Sequence, residues 1–294
     1  MGRVRVPGRY RTPMSRVARR KAQRRAGRKP AASIAVPWIV VAIVLAIAAI
    51  AIGSRLLAPQ PSSVVEMDLR GVVVDQLSPE DPNDSLRSAV RGDMQAFGLS
   101  VTEYEGDEVT VETYRSLGNA RPSVLLIRSH SGLLTLEGEE DQHITALFTN
   151  EPYSKTKYVT EQLHDRVLIV RRHEQDENLK FGVSPLFILQ SMEENLSGTV
   201  VIIAGCSCLG RTDLADAFLA RGASVVLSWD ESVSLGYLDL ATEHLMDALL
   251  AQEMTVENAT VSTMVEYGED PDFGAILLYY PVAAGRYTVA ELVQ

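Results

Sequence analysis

Three short, unbroken apolar runs constrain the fold of this chain most: residues 123–127 (SVLLI), 199–204 (TVVIIA) and 224–229 (SVVLSW). A run with no polar face must be covered on both sides, as in a parallel sheet with helices above and below. Residues 71–76 (GVVVDQ) give a fourth β-branched run. A turn-rich SPEDPND follows it, then a helical stripe of Leu86, Val90, Met94 and Phe97. Residues 99–111 alternate, and further strands are expected at 144–148, 167–170 and 275–280. A helix is expected over 213–221, with Leu214, Ala215, Phe218 and Leu219 facing inward, Thr212 capping and Gly222 stopping it. Another is expected over 238–250. Strand and helix alternate, so the fold class is α/β, a mostly parallel sheet with helices on both faces.

Charge is distributed unevenly. Residues 1–30 hold 12 of the 28 Lys and Arg residues and no acid, leaving 16 basic residues to face all 38 acids. Residues 31–53 carry no charge at all and, as a helix, reach about 34 Å, enough for a hydrocarbon core of about 30 Å. The long basic leader and long apolar run favour an uncleaved signal anchor over a cleaved signal peptide, although Ala49-Ile50-Ala51 offers a small-x-small pattern. Basic residues ahead of the span place the N-terminus in the cytoplasm and the acidic remainder outside, at the cell membrane. The organisation expected is a basic tail (1–30), a transmembrane helix (31–53), a Pro-containing stalk (54–63) and an α/β domain (64–294). The tail has only Tyr10 among aromatic residues and no nucleic-acid fold beside it, so no nucleic-acid partner is expected.

In open α/β sheets, function collects beyond the carboxyl ends of the strands. The 123–127 run exits through Arg128 and Ser129 to His130-Ser131-Gly132, and the 199–204 run through Gly205 to Cys206-Ser207-Cys208. If these strands are neighbours, a thiol and an imidazole meet across one crevice, as a nucleophilic dyad requires. Cys206, at the strand exit, is the candidate nucleophile and His130 the candidate base. Arg211 and the N-terminus of the 213–221 helix are expected to favour the thiolate. The N–H groups of Gly132 and Cys206 are candidate oxyanion donors.

A hydrophobic strand ending in His-Ser-Gly, another ending in Ala-Gly-Cys, and the sequel LADAFLARGASVVLSW together resemble the caspase-hemoglobinase group (clan CD) of cysteine peptidases, notably its gingipain-like and CHAT-like branches. The resemblance covers about residues 120–252. It implies a caspase-like three-layer sandwich and an endopeptidase that works through a thioester acyl-enzyme, with Cys206 and His130 catalytic and protein or peptide as substrate; with the 31–53 span, the whole reads as a membrane-anchored cysteine endopeptidase. It also implies that Trp229, Asp230 and Ser232 line the substrate cleft. Two departures stand out. Ser131 separates His130 from Gly132, and Ala204 occupies the place where Arg/Lys-specific branches commonly carry an acid.

Two other functions compete: a catalytically silent domain of the same fold that binds peptides or a partner, and a thiol redox protein using Cys206 and Cys208. A disulfide between cysteines at i and i+2 would be strained. His130, His143, His164, His173 and His244 form no short-spaced ligand pair, and the acidic runs lack a defined calcium-binding spacing, so neither metal nor cofactor is expected.

Overall fold

A computed structural model of the chain describes residues 68–136, 139–173 and 175–293. The expected tail, span and stalk lie outside these residues, and among the described residues no helix is long and apolar enough to cross a membrane. The described residues open with β1 (Arg70–Asp75), α1 (Asp84–Ala96), β2 (Ser100–Glu105), α2 (Val111–Ser116) and β3 (Val124–Arg128). An antiparallel excursion follows: β4 (Ser131–Leu136), β5 (Glu139–Pro152), α3 (Val159–Gln162), β6 (Val167–Val170) and β7 (Lys180–Val183). After α4 (Pro185–Gln190) the alternating pattern resumes with β8 (Val200–Ala204), α5 (Asp213–Ala220), β9 (Val225–Trp229) and α6 (Leu235–Met246). The chain then runs through α7 (Val256–Tyr267), β10 (Leu277–Tyr280) and α8 (Val289–Leu292).

The main sheet has six strands in the order β10-β9-β8-β3-β1-β2, parallel except for β10, which runs antiparallel to β9 at one edge. The apolar runs are its central strands because every residue of β3, β8 and β9 is buried. Their side chains alternate between two cores. On one face Leu126, Ile202, Leu227 and Trp229 pack with Leu86, Val90 and Met94 of α1 and with α6 and α7. On the other, Leu125, Ile127, Val201, Ile203 and Val226 pack with Tyr114 of α2, Phe187 and Ile188 of α4, and Phe218 of α5. The result is a mixed α/β molecule with helices on both faces of a mostly parallel sheet. Each large apolar side chain enclosed this way contributes on the order of 1.5–3 kcal/mol.

A second sheet, β4-β5-β7-β6, packs on the face of α2, α4 and α5, where Leu147, Phe181, Val183 and Val167 join the core. The helix stops and starts also differ in detail from expectation. Thr212 makes no capping bond and donates instead to Asp216, while the Asp213 carboxylate accepts from Leu214 N–H. Gly222, at φ +101°, ends the helix as expected.

Candidate active site

The parallel register pairs Arg128 of β3 with Ala204 of β8. His130 and Cys206 each follow two residues later, so the two strands deliver them side by side at the carboxyl end of the sheet. The exits approach closely. A Cβ on Gly205 would lie 2.5 Å from Ser131 Oγ and 2.7 Å from Ser129 O, so only glycine fits there.

Four polar contacts hold His130. Its N–H donates to Gln76 Oε1 (2.9 Å), and its carbonyl accepts from Phe148 N–H (3.0 Å) and Ser129 Oγ (2.7 Å). Its Nε2 lies 3.3 Å from Glu80 Oε2. A carboxylate at Nε2 favours the tautomer with the proton there, leaving Nδ1 as the basic atom. Glu80 also accepts from Arg172 Nη1 (2.9 Å) and Lys180 Nζ (3.1 Å). Burial raises the Glu80 carboxyl, but the Lys180 hydrogen bond and the charges of Lys180, Arg172 and His130 outweigh it and hold the group below its ordinary value. Burial pushes the His130 imidazole below its ordinary value despite the pull of Glu80. The ring is therefore neutral near pH 7.

Cys206 is partly buried, and its thiol has its polar contacts with Val233, whose N–H lies 3.5 Å and carbonyl 3.8 Å from Sγ. No hydrogen bond joins Cys206 to His130 in this arrangement. Burial raises the thiol's pKa, Val233 N–H lowers it, and the Asp270 charge raises it further. The help expected from Arg211 is not among the influences on this sulfur. Arg211 is exposed, and the charge that acts on the sulfur is Asp270, so the resting thiol is neutral. Cys208 is fully buried; its Sγ donates to Ser131 Oγ at 3.2 Å. Both cysteines are free.

The remaining site residues divide. Cys206 N–H has no acceptor among the described residues. Gly132 differs: Phe148 N–H donates to His130 O while Ser131 faces Leu147 and Gly132 faces Ala146. The alternation of an antiparallel ladder then directs Gly132 N–H at Ala146 and turns Ser131 N–H away from β5. Trp229 is fully buried among α6 and α7 side chains, because it is an odd-numbered β9 residue like Val225 and Leu227; it is core and not a cleft wall. The Asp230 carboxylate accepts from Ile276 N–H (2.8 Å), tying the loop after β9 to the chain before β10. Ser232 is exposed on that loop.

The sequence reading missed Glu80, Gln76, Asn150, Lys180 and Ser131. Glu80 sits in the turn after β1, and β1 is the direct neighbour of β3, so an acid just past a strand end was the available signal. Gln76 Nε2 donates to Asn150 Oδ1 (2.8 Å), and Lys180 Nζ reaches the same oxygen (2.9 Å), so one buried network supports both His130 N–H and Glu80.

No protein-family model matches the chain, and no curated protein matches its sequence. Among solved structures it is similar to the Arg-specific cysteine proteinase gingipain R, at 11% identity and a TM-score of 0.44, over 75% of this chain and 48% of that one. It is also similar to the complex of Porphyromonas gingivalis RgpB pro- and mature domains, at 10% identity and a TM-score of 0.43, over 75% of this chain and 49% of that one. The chain thus spans about half the length of these structures.

Proposed function

We propose that this chain is a cysteine peptidase of caspase-like fold, with Cys206 as nucleophile and His130 as base. The carrying observation is the β3–β8 pairing, which brings the two residues out of adjacent parallel strands at the same level. Because thiol and ring are both pushed toward their neutral forms, the resting pair is uncharged. Deprotonation then accompanies attack: Sγ rotates away from Val233, His130 Nδ1 takes its proton, and sulfur adds to the scissile carbonyl. The same nitrogen returns the proton to the departing amine, and water releases the acyl group from the thioester. Glu80 steadies the imidazolium that forms in between. Cys206 N–H, without an acceptor among the described residues, and Ser131 N–H, turned away from β5, are the oxyanion donors this geometry favours, with Ser131 in place of Gly132.

The substrate class is protein or peptide. Anchoring through residues 31–53, with the domain outside the cell, completes the proposal. One observation favours a second reading, a catalytically silent peptide-binding domain: the Cys206 sulfur rests on Val233 rather than on the imidazole. A peptide-library digest separates the two. Cleavage by the full chain, abolished in Cys206→Ala and retained in Cys208→Ser, supports the peptidase; no cleavage under any condition supports the binding domain.

A further inference from the structure

The Cys208 thiol and the Ser131 hydroxyl are unused by the chemistry just described, yet they meet at its centre. Ser131 Oγ donates to the Cys206 carbonyl at 2.8 Å, and Cys208 Sγ lies 3.2 Å from Ser131 Oγ and 3.4 Å from the same carbonyl. On the other side of that peptide, Ser207 N–H donates to Glu231 O at 2.9 Å. Ser207 itself holds φ +56°, a left-handed conformation that a residue with a Cβ adopts only under constraint. The turn that presents Cys206 is therefore strained, and its carbonyl is turned back toward the β3 exit.

We infer that Ser131 and Cys208 are positioning residues that hold the Cys206–Ser207 peptide in this orientation and so aim the Cys206 thiol and N–H into the crevice. The proton accounting is specific. A hydroxyl has one proton to give, and Ser131 gives it to the Cys206 carbonyl because it receives one from the Cys208 thiol. Burial pushes that thiol up to about 12, so it remains a donor at neutral pH. Gly205 leaves the room for Ser131 Oγ. The pair also explains why a second cysteine sits two residues beyond the first: it serves the serine and does not react. The inference rests on the reading of Cys206 as nucleophile, and a displacement of about 1 Å in such a group costs on the order of a hundredfold in rate.

The test is alkylation of the full-length native chain by iodoacetamide across a pH series, with the modified sulfur assigned by fragment masses and folding checked by circular dichroism. Wild type is expected to alkylate at Cys206 alone, with a rate limb that His130→Ala abolishes. Ser131→Ala is expected to slow that limb about tenfold to a hundredfold with the fold retained. Cys208→Ala is expected to slow it less, and Cys208→Ser, which keeps a donor, to recover most of the rate. A Ser131→Ala profile equal to wild type overturns the positioning role while leaving the peptidase reading intact. A wild-type profile equal to that of His130→Ala overturns both. If Ser131→Ala fails to fold, the ordering of the two Cys208 variants decides: equal rates refute the inference, and Ser faster than Ala supports it.

Discussion

Arg128→Met is expected to cost about 4 kcal/mol at neutral pH, on the scale measured when one partner of a buried ion pair is removed. Arg128 is 2% exposed and lies among three carboxylates, from β1, the turn after it and α6. Its Nε and Nη2 grip both oxygens of Asp239 on α6 at 2.7 Å, Nη1 reaches Asp75 at 3.0 Å, and Nη2 reaches the carbonyl and carboxylate of Asp81 at 3.0 and 3.1 Å. Methionine replaces most of the apolar stem, so lost packing is a minor part. The main cost is two buried carboxylates without a cation, softened by Asn83 Nδ2 on Asp239 and Leu77 N–H on Asp75. Asp81, about half exposed, adds little. The pH dependence has a definite sign. Burial already raises the Asp75 carboxyl above its ordinary value against the pull of Arg128, and removing Arg128 raises it further. A folded-state carboxyl with a raised pKa favours folding below its ordinary range and opposes it as pH climbs through the raised one. The deficit of the variant is therefore largest near neutrality and smaller at about pH 4.5. Urea unfolding followed by far-ultraviolet circular dichroism at both pH values measures it. A deficit below about 1 kcal/mol at neutral pH, or one that does not shrink in acid, refutes the reasoning.

Glu80→Gln removes the charge that raises the His130 pKa and leaves only a neutral amide oxygen as acceptor, so a histidine titration by NMR is expected to move to lower pH. Gly205→Ala forces a methyl to within 2.5 Å of Ser131 Oγ and is expected to destabilise by about 1–3 kcal/mol, read from the urea midpoint. Thr145→Val removes the hydroxyl that donates to Asp213 Oδ1 at 2.7 Å and is expected to cost about 1–2 kcal/mol by the same measurement.

The central strands were legible because their sequences admit one environment: a run such as VVIIA buries on both faces only inside a sheet covered twice. Placing β10 at the edge was not legible, since nothing in LLYY distinguishes an antiparallel edge from a parallel neighbour. The second sheet escaped in part because β4 and β7 carry mixed sequences, SGLLTL and KFGV, whose burial depends on partners far along the chain. At the site, position was readable and orientation was not. His130 and Cys206 follow from strand exits, whereas Glu80, Gln76 and Asn150 meet only through folding of the β1 loop against β5 and β7. Trp229 was misjudged because its parity along β9 decides its face, and parity counts only once the register is known.

The most direct measurement is covalent labelling of the full chain by a mixture of peptidyl acyloxymethyl ketones, which transfer their peptide to a thiol activated as a nucleophile. A stoichiometric adduct on Cys206, lost in His130→Ala and never found on Cys208, is the result expected if adjacent strand ends build a working dyad. Labelling that ignores His130, falls on Cys208, or is absent from both thiols would contradict it.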